Sequence, residues 1–311
     1  MARIFVEGWS PEYGAPLDTA ELTPAEGSVD DTVEGVGWAA RDGIDDGADP
    51  VVFVDGVRRI DARLTIDDPV AGPVPGICGT FAVGAVRWER AEVRSHIGEV
   101  HLERWAIVAC GRPELFPAID LQPPYETMTI AARDGDALVY ALQTKMREAE
   151  GALATELSGG AFVLADGPLN ELGPHEVVGI VKSHRVTYLQ PDRNALIASL
   201  RCAQRTPLCA IKDFGRYSWY VRLADVHGGH SWSGIVRCEA SVHLPLERVR
   251  VIADRTAAVL PLVASAPHLD PRAPQNLVPI GALERQLRHR MGDIGLVYRA
   301  LRGAVSERVA S

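Results

Sequence analysis

The sequence lacks the short motifs that mark the best-known catalytic folds. It contains no G-x-x-x-x-G-K-[ST], no G-x-G-x-x-G, no H-E-x-x-H and no G-x-S-x-G. These patterns supply a phosphate-binding loop, a dinucleotide-binding turn, a zinc site and a nucleophile elbow, respectively. Their absence excludes P-loop NTPases, Rossmann dehydrogenases, zincins and α/β-hydrolases.

Long apolar runs and closely paired cysteines are also missing. No apolar stretch reaches the roughly 18 residues of a membrane span, and the segment MARIFVEGWSPEYG has no charged region followed by an apolar one. We therefore expect a cytoplasmic chain without a signal peptide or a membrane span. The five cysteines form no C-x-x-C pair, which predicts buried free thiols rather than a zinc site or disulfides.

Positive charge is scarce relative to negative charge. The chain has 41 acidic and 32 basic residues, and its formal net charge is −9. This balance excludes a protein that coats nucleic acid through bulk charge. It still allows an enzyme with carboxylates at its centre and basic residues at the rim of the site.

The domain organisation follows from composition and periodicity. Residues 1–48 are rich in Gly, Pro, Asp and Glu, which predicts a loop-rich N-terminal arm. Residues 49–311 are predicted to form a single large domain. Its predicted strands cover 51–55, 57–66, 78–88, 91–109, 161–169, 177–184, 216–225 and 233–242, and its predicted helices cover 127–157, 246–265 and 278–293. Strands in series, a meander at first, and then strands interleaved with helices indicate the α/β class, with a mixed sheet flanked by helices.

An apolar strand that closes on Asp-Gly occurs twice, in VVFVDG at Asp55 and in AFVLADG at Asp166. A carboxylate at the end of a buried strand is costly unless it is paired or binds a cation. Two such carboxylates on neighbouring strands repel each other, and divalent Mg²⁺ or Mn²⁺ would relieve that repulsion. The alternative is that each Asp-Gly only begins a turn.

Lys182 and His184 end another apolar strand, VVGIVKSH. Lys182 is a candidate for orienting a phosphate or lowering the pKa of a water molecule, and the alternative is a strand-end lysine in solvent. His184 is predicted to be a hydrogen-bonded polar residue rather than a metal ligand.

Several segments together resemble the NurA nuclease family, in a bacterial branch. They are FVDGVRRIDARL, LADGPL followed by VVGIVKSH, WYVRL, IVRCE and DPRAPQNLVPIGALERQLRHRMGD. The two Asp-Gly strands and the Gly-x-x-Lys strand follow the family's order, and the resemblance runs from about residue 50 to 303. It implies an RNase H-like fold, a Mn²⁺-dependent (or Mg²⁺-dependent) deoxyribonuclease that processes DNA ends in double-strand break repair, and a homodimer that works with a HerA-like hexameric ATPase.

The resemblance also implies the ligands and catalytic residues. Asp55 and Asp166 match the two metal-binding aspartates, and a further glutamate is expected on the helix before the second Asp-Gly strand. Glu148 and Glu150 both stand there, pointing in different directions, and Glu150 is preferred because Arg147 at i−3 can steady it.

A late histidine is implied as well, and His268 in the proline-rich loop PHLDPRAPQN is the best match, as a metal ligand or a proton carrier. Asp270 would orient that imidazole or bind metal, and Arg272 and Arg285 would contact phosphates. The alternative is a connecting loop in which Asp270 binds backbone amides and His268 is exposed.

Two other carboxylates, Asp61 and Glu239, are possible substitutes for a missing ligand. The competing functions are a catalytically weak RNase H-like subunit that partners a HerA-type ATPase, and a nuclease that acts on RNA. Metal-dependent cleavage of DNA and RNA, compared side by side, separates these readings.

Overall fold

A computed structural model describes residues 23–24, 29–45, 47, 50–68, 72–92, 94–109, 116–131, 134–169, 173–184, 186–226 and 229–310. The strands are β1 (Thr23–Pro24), β2 (Val29–Asp30), β3 (Arg41–Asp42), β4 (Val51–Asp68), β5 (Gly72–Glu89), β6 (Arg94–Val108), β7 (Tyr125–Thr129), β8 (Phe162–Asp166), β9 (Val177–Val181), β10 (Val186–Thr187), β11 (Gln204–Arg205), β12 (Cys209–Ile211), β13 (Arg216–Arg222) and β14 (Ile235–Ser241). The helices are α1 (Gly135–Leu157), α2 (Pro191–Ser199), α3 (Leu246–Val259), α4 (Val278–Arg290) and α5 (Ile294–Ala310). None of the helices in these ranges is both long and apolar enough to cross a membrane.

The chain divides into two compact units, and the divisions fall inside continuous strands and helices. The first unit comprises Met1–Phe53, Val86–His96 and Ala154–Gly281, and the second comprises Val54–Ala85, Ile97–Leu153 and Ala282–Ser311. In the described ranges, twelve strands form one mixed sheet. The predicted α/β class, with a large mixed sheet flanked by helices, is therefore confirmed.

In the first unit the sheet follows the order β2-β12-β13-β14-β9-β8, with β11 beside β13 and β3 beside β11. The predicted hairpin of β13 and β14 is confirmed, because the two strands pair antiparallel from Arg216↔Ser241 to Arg222↔Ile235. Strand β8 pairs parallel with β9, and its first amide donates to the carbonyl of Pro50, just before β4. Helix α3 buries one face of its cylinder, which carries Val249, Ile252, Ala253, Thr256 and Ala257 at helical spacing.

In the second unit β4, β5 and β6 are neighbours in chain order, as the predicted meander requires, and β7 follows β6 in parallel. The predicted break at Asp55-Gly56 is wrong, because β4 continues to Asp68. Hydrogen bonding to neighbouring strands has overridden the turn preference of the Asp-Gly pair.

The predicted start of the first helix is also wrong. Residues 125–129 form β7, because the β-branched Thr127 and Thr129 suit a strand and pair with β6. Helix α1 begins only after Asp134, whose carboxylate accepts the backbone N–H of Ala137 as an N-terminal cap, 2.6 Å away. The helices α2 and α5 were not predicted.

Much of the predicted N-terminal arm, residues 1–22 and 25–28, lies outside the described residues. In the described part, Glu34 is 1% exposed and binds the Arg205 guanidinium at 2.9 Å. Four of the cysteines are described as free thiols, of which Cys78, Cys209 and Cys238 are buried as predicted and Cys202 is exposed.

Candidate metal centre

Asp55 lies inside β4 and is 6% exposed, with apolar neighbours along the strand. Its Oδ1 accepts the backbone N–H of Gly56 at 2.8 Å. A Cβ atom at position 56 would collide with Oε1 of Glu150 on α1. Gly56 therefore does not form a turn. Because it has no side chain, the Glu150 carboxylate can lie close to the strand, next to Asp55.

The two glutamates on α1 have different surroundings. Glu148 is exposed and pairs with Lys145 at 2.9 Å, three residues earlier on the helix. Glu150 faces β4 at Gly56. This geometry is the one expected for the preferred candidate, while its role as a ligand stays a prediction.

Glu284 on α4 also belongs to the second unit, and it was not among the residues predicted from the sequence. Its side chain is buried although it carries a charge, and Arg288 lies 3.4 Å away. It stands four residues after Ile280 and three before Leu287, both buried. A carboxylate on the apolar face of an amphipathic helix was the signal that could have revealed it.

Three carboxylates come together at the candidate centre. One oxygen each from Asp55, Asp166 and Glu284 lies within 4.8 Å of the other two. Among the described residues no other group of three His, Cys, Asp or Glu side chains meets this spacing. The chemistry fits a hard divalent cation, because Mg²⁺ and Mn²⁺ take oxygen ligands.

Asp166, at the end of β8, is paired with the ammonium group of a lysine in the first unit. The Nζ of Lys182 donates to Oδ2 of Asp166 at 2.6 Å and to Oδ1 of Asn276 at 2.7 Å. Asn276 is fully buried. The ammonium group thus offsets one carboxylate charge and is fixed in direction by a neutral amide.

The proline-rich loop connects to Asp166 through this amide. The Nδ2 of Asn276 donates to Oδ2 of Asp270 at 2.6 Å, and the backbone N–H of Arg272 donates to Oδ1 at 2.7 Å. Burial raises the pKa of the Asp270 carboxyl, but these hydrogen bonds and the charge of Arg272 lower it by more, so the pKa lies below its ordinary value. Asp270 is therefore an ionised anchor for Asn276.

His268 lies in a turn of the same loop and is exposed. It is not part of the three-carboxylate group. His184 is buried, and its Nε2 lies 3.2 Å from the carbonyl of Ile235, as predicted for a hydrogen-bonded residue. Burial lowers the pKa of His184 to about 4, so its imidazole is neutral at physiological pH.

The two substitute carboxylates are engaged elsewhere. Asp61 accepts hydrogen bonds from Arg59 at 2.8 Å, from Tyr125 at 2.8 Å and from Thr80. Glu239 binds Arg216 at 2.9 Å and Arg237 at 2.7 Å. Both are therefore held by their own polar partners.

Comparison with known proteins gives structural likenesses at low sequence identity. No protein-family model and no curated protein sequence matches the chain. The NurA nuclease from Sulfolobus solfataricus aligns with a TM-score of 0.48 and 14% identity, covering 88% of this chain and 90% of that one. The catalytic domain of human Endonuclease V aligns with a TM-score of 0.31 and 13% identity, covering 84% and 94%. The chemistry of the candidate centre rests on the residues of this chain.

Proposed function

We propose that this protein is a metal-dependent nuclease that hydrolyses phosphodiester bonds in DNA. The observation that carries the proposal is the convergence of Asp55, Asp166 and Glu284, whose carboxylate oxygens lie within 4.8 Å of one another. The order of the Asp-Gly strands and the Gly-x-x-Lys strand, which resembles that of NurA nucleases, supports DNA as the substrate.

The residues of the candidate centre have different proposed roles. Asp55, Asp166 and Glu284 would hold one or two divalent ions, with Glu150 as a further ligand on the α1 side. When bound, Mn²⁺ or Mg²⁺ supplies an activated water and stabilises charge on the phosphate and the leaving oxygen. Lys182 stands 2.6 Å from Asp166, where an ammonium group can also attract a phosphate oxygen. Asn276 and Asp270 keep that ammonium group directed at Asp166.

The test is cleavage of labelled DNA and labelled RNA by the purified chain. We expect DNA to be cut with Mn²⁺ or Mg²⁺ and to remain intact with EDTA. Binding of Mn²⁺ by calorimetry, without substrate, gives a readout that is independent of cleavage. Cleavage that persists in EDTA would refute the metal requirement, and cleavage of RNA alone would identify an RNase.

His268 is proposed as a proton carrier rather than a metal ligand, because it is exposed and outside the carboxylate group. His268→Ala should slow cleavage by roughly 100-fold or more, the scale of general acid–base residues. Binding of Mn²⁺ and DNA should be retained. The matched control is His96→Ala, another exposed histidine. A wild-type cleavage rate in His268→Ala would assign the loop to anchoring Asn276 alone.

The homodimer and the HerA-like ATPase partner are proposals that rest on the sequence resemblance. Either assembly would hold DNA near an acidic chain that binds it weakly by itself. Light scattering at micromolar concentration measures the oligomeric state directly.

A further inference from the structure

A polar cleft of about 450 Å³ lies in the first unit, outside the carboxylate group. Phe214, Arg216, Ser241 and His243 line it, together with Leu169 from the loop after β8. Asp213 adds one carboxylate at an exposed position of the lining. None of the ligands assigned to the metal centre lies among these residues.

Charged side chains of both signs lie in and beside the cleft: Arg216 and Asp213 line it, and Arg216 is paired with Glu239. Glu239 is 1% exposed and is shared by two guanidinium groups, Arg216 at 2.9 Å and Arg237 at 2.7 Å. One carboxylate therefore faces two buried or half-buried cations. A guanidinium group has five N–H donors in a planar fork, so Arg216 can bind Glu239 and a phosphate oxygen in the cleft at the same time.

Aromatic rings cover both guanidinium groups. Arg237 lies 4.6 Å from the ring centroid of Tyr188, and Arg216 lies 5.7 Å from that of Phe214. The two rings contact each other edge to face, with centroids 6.5 Å apart. Alternating arginine and aromatic side chains are typical of surfaces that bind single-stranded nucleic acid.

Phe214 is exposed at 55%, although burying a phenylalanine would be favourable. It ends a short 3₁₀ turn, Lys212–Phe214, which is closed by Gly215 in the left-handed conformation at φ 59°. The carbonyl of Gly215 accepts the N–H of Val242 at 3.1 Å, which ties the turn to the end of β14. A rigid turn thus presents the ring to solvent, where a base can stack on it.

A short segment of backbone connects the cleft to Asp166. Leu169, three residues after Asp166, lines the cleft, and its backbone N–H donates to Oε2 of Glu239 at 3.3 Å. The carboxylate that organises Arg216 and Arg237 therefore also positions the loop that leaves the metal centre.

We propose that this cleft binds single-stranded DNA next to the site of cleavage, with a phosphate at Arg216 and a base stacked on Phe214. The proposal rests on the proposed function, because it assigns the substrate form that the metal centre receives. A duplex keeps its bases stacked inside, so the ring would gain little from it.

The experiment measures fluorescence anisotropy of a labelled oligothymidine and of a blunt duplex in EDTA, so that binding is read without cleavage. Phe214→Ala removes an exposed ring and should not endanger the fold. It should weaken binding of the single strand roughly tenfold, the scale of one lost base stack, and leave duplex binding nearly unchanged. Phe214→Trp should restore the affinity. The matched control is Tyr140→Ala, an aromatic residue on α1 that is 67% exposed.

Wild-type affinity in Phe214→Ala, or an equal loss in Tyr140→Ala, would overturn the assignment of the cleft. So would a wild-type protein that binds no single strand. Each of these outcomes leaves the metal centre testable, because cleavage of duplex DNA with Mn²⁺ is measured separately. Conversely, intact single-strand binding without any metal-dependent cleavage would refute the proposed function and not the cleft.

Discussion

Asp55→Asn and Asp166→Asn are each expected to abolish DNA cleavage. Asparagine keeps the shape of aspartate but offers the metal no negative charge. Loss of an outer-shell partner alone typically costs about 10- to 100-fold, so removal of a direct ligand should lower the rate by more than about 100-fold. Single-turnover cleavage of an end-labelled duplex measures it.

The control for this pair is Asp192→Asn, an aspartate on α2 that is 75% exposed. Its cleavage rate should equal that of the wild type. Far-ultraviolet circular dichroism of all three variants checks that the sheet is intact. Cleavage at the wild-type rate by either site variant would show that the assigned carboxylates are not the metal ligands.

Glu284→Gln is expected to make the melting temperature of the protein nearly independent of added metal. Carboxylate oxygens within 4.8 Å of one another repel by roughly 3 kcal/mol or more at an effective dielectric constant of about 20, and the amide removes part of that repulsion. The metal-free variant should therefore melt at or above the temperature of the wild type. Its affinity for Mn²⁺ should fall more than about tenfold.

Thermal unfolding with and without Mn²⁺ separates these effects. At a concentration a hundredfold above Kd, metal adds about 2.7 kcal/mol to the wild type, a rise in Tm of roughly 4 °C for a chain of 311 residues. The variant should show little of this rise. Glu148→Gln, which alters an exposed glutamate on α1, should respond as the wild type does. A full Mn²⁺-dependent rise in Glu284→Gln would remove Glu284 from the centre.

The sequence predicted the elements whose signal is local. The strand ending at Asp166 and the hairpin of β13 and β14 are apolar, β-branched runs bounded by turns, and they lie where they were expected. The long β4 was divided wrongly at Gly56, because the sequence cannot show that a glycine in a strand is making room for Glu150. Tertiary contact, rather than local preference, decides that position.

The residues of the candidate site likewise differ in whether the sequence could predict them. Asp55, Asp166 and Lys182 stand at the ends or centres of apolar strands and could be singled out from the sequence. Asn276 could not, because its importance comes from its contact with Lys182. Glu284 is recognisable in the sequence as a carboxylate on the apolar face of α4, but only the folded structure shows that Asp55 and Asp166 lie near it.

The contact between Lys182 and Asp166 bears on how the proposed metal centre would be loaded. An internal ammonium group at 2.6 Å gives Asp166 a counter-ion that is part of the chain. The fold can thus be completed before any ion arrives, unlike a small zinc domain, whose folding depends on its metal. On binding a metal ion, Asp166 would exchange its Lys182 partner for the ion, and Lys182 would keep its hydrogen bond to Asn276. If the proposed function is correct, such a centre would lose its ion and regain it without unfolding, so the supply of divalent cation would set the activity.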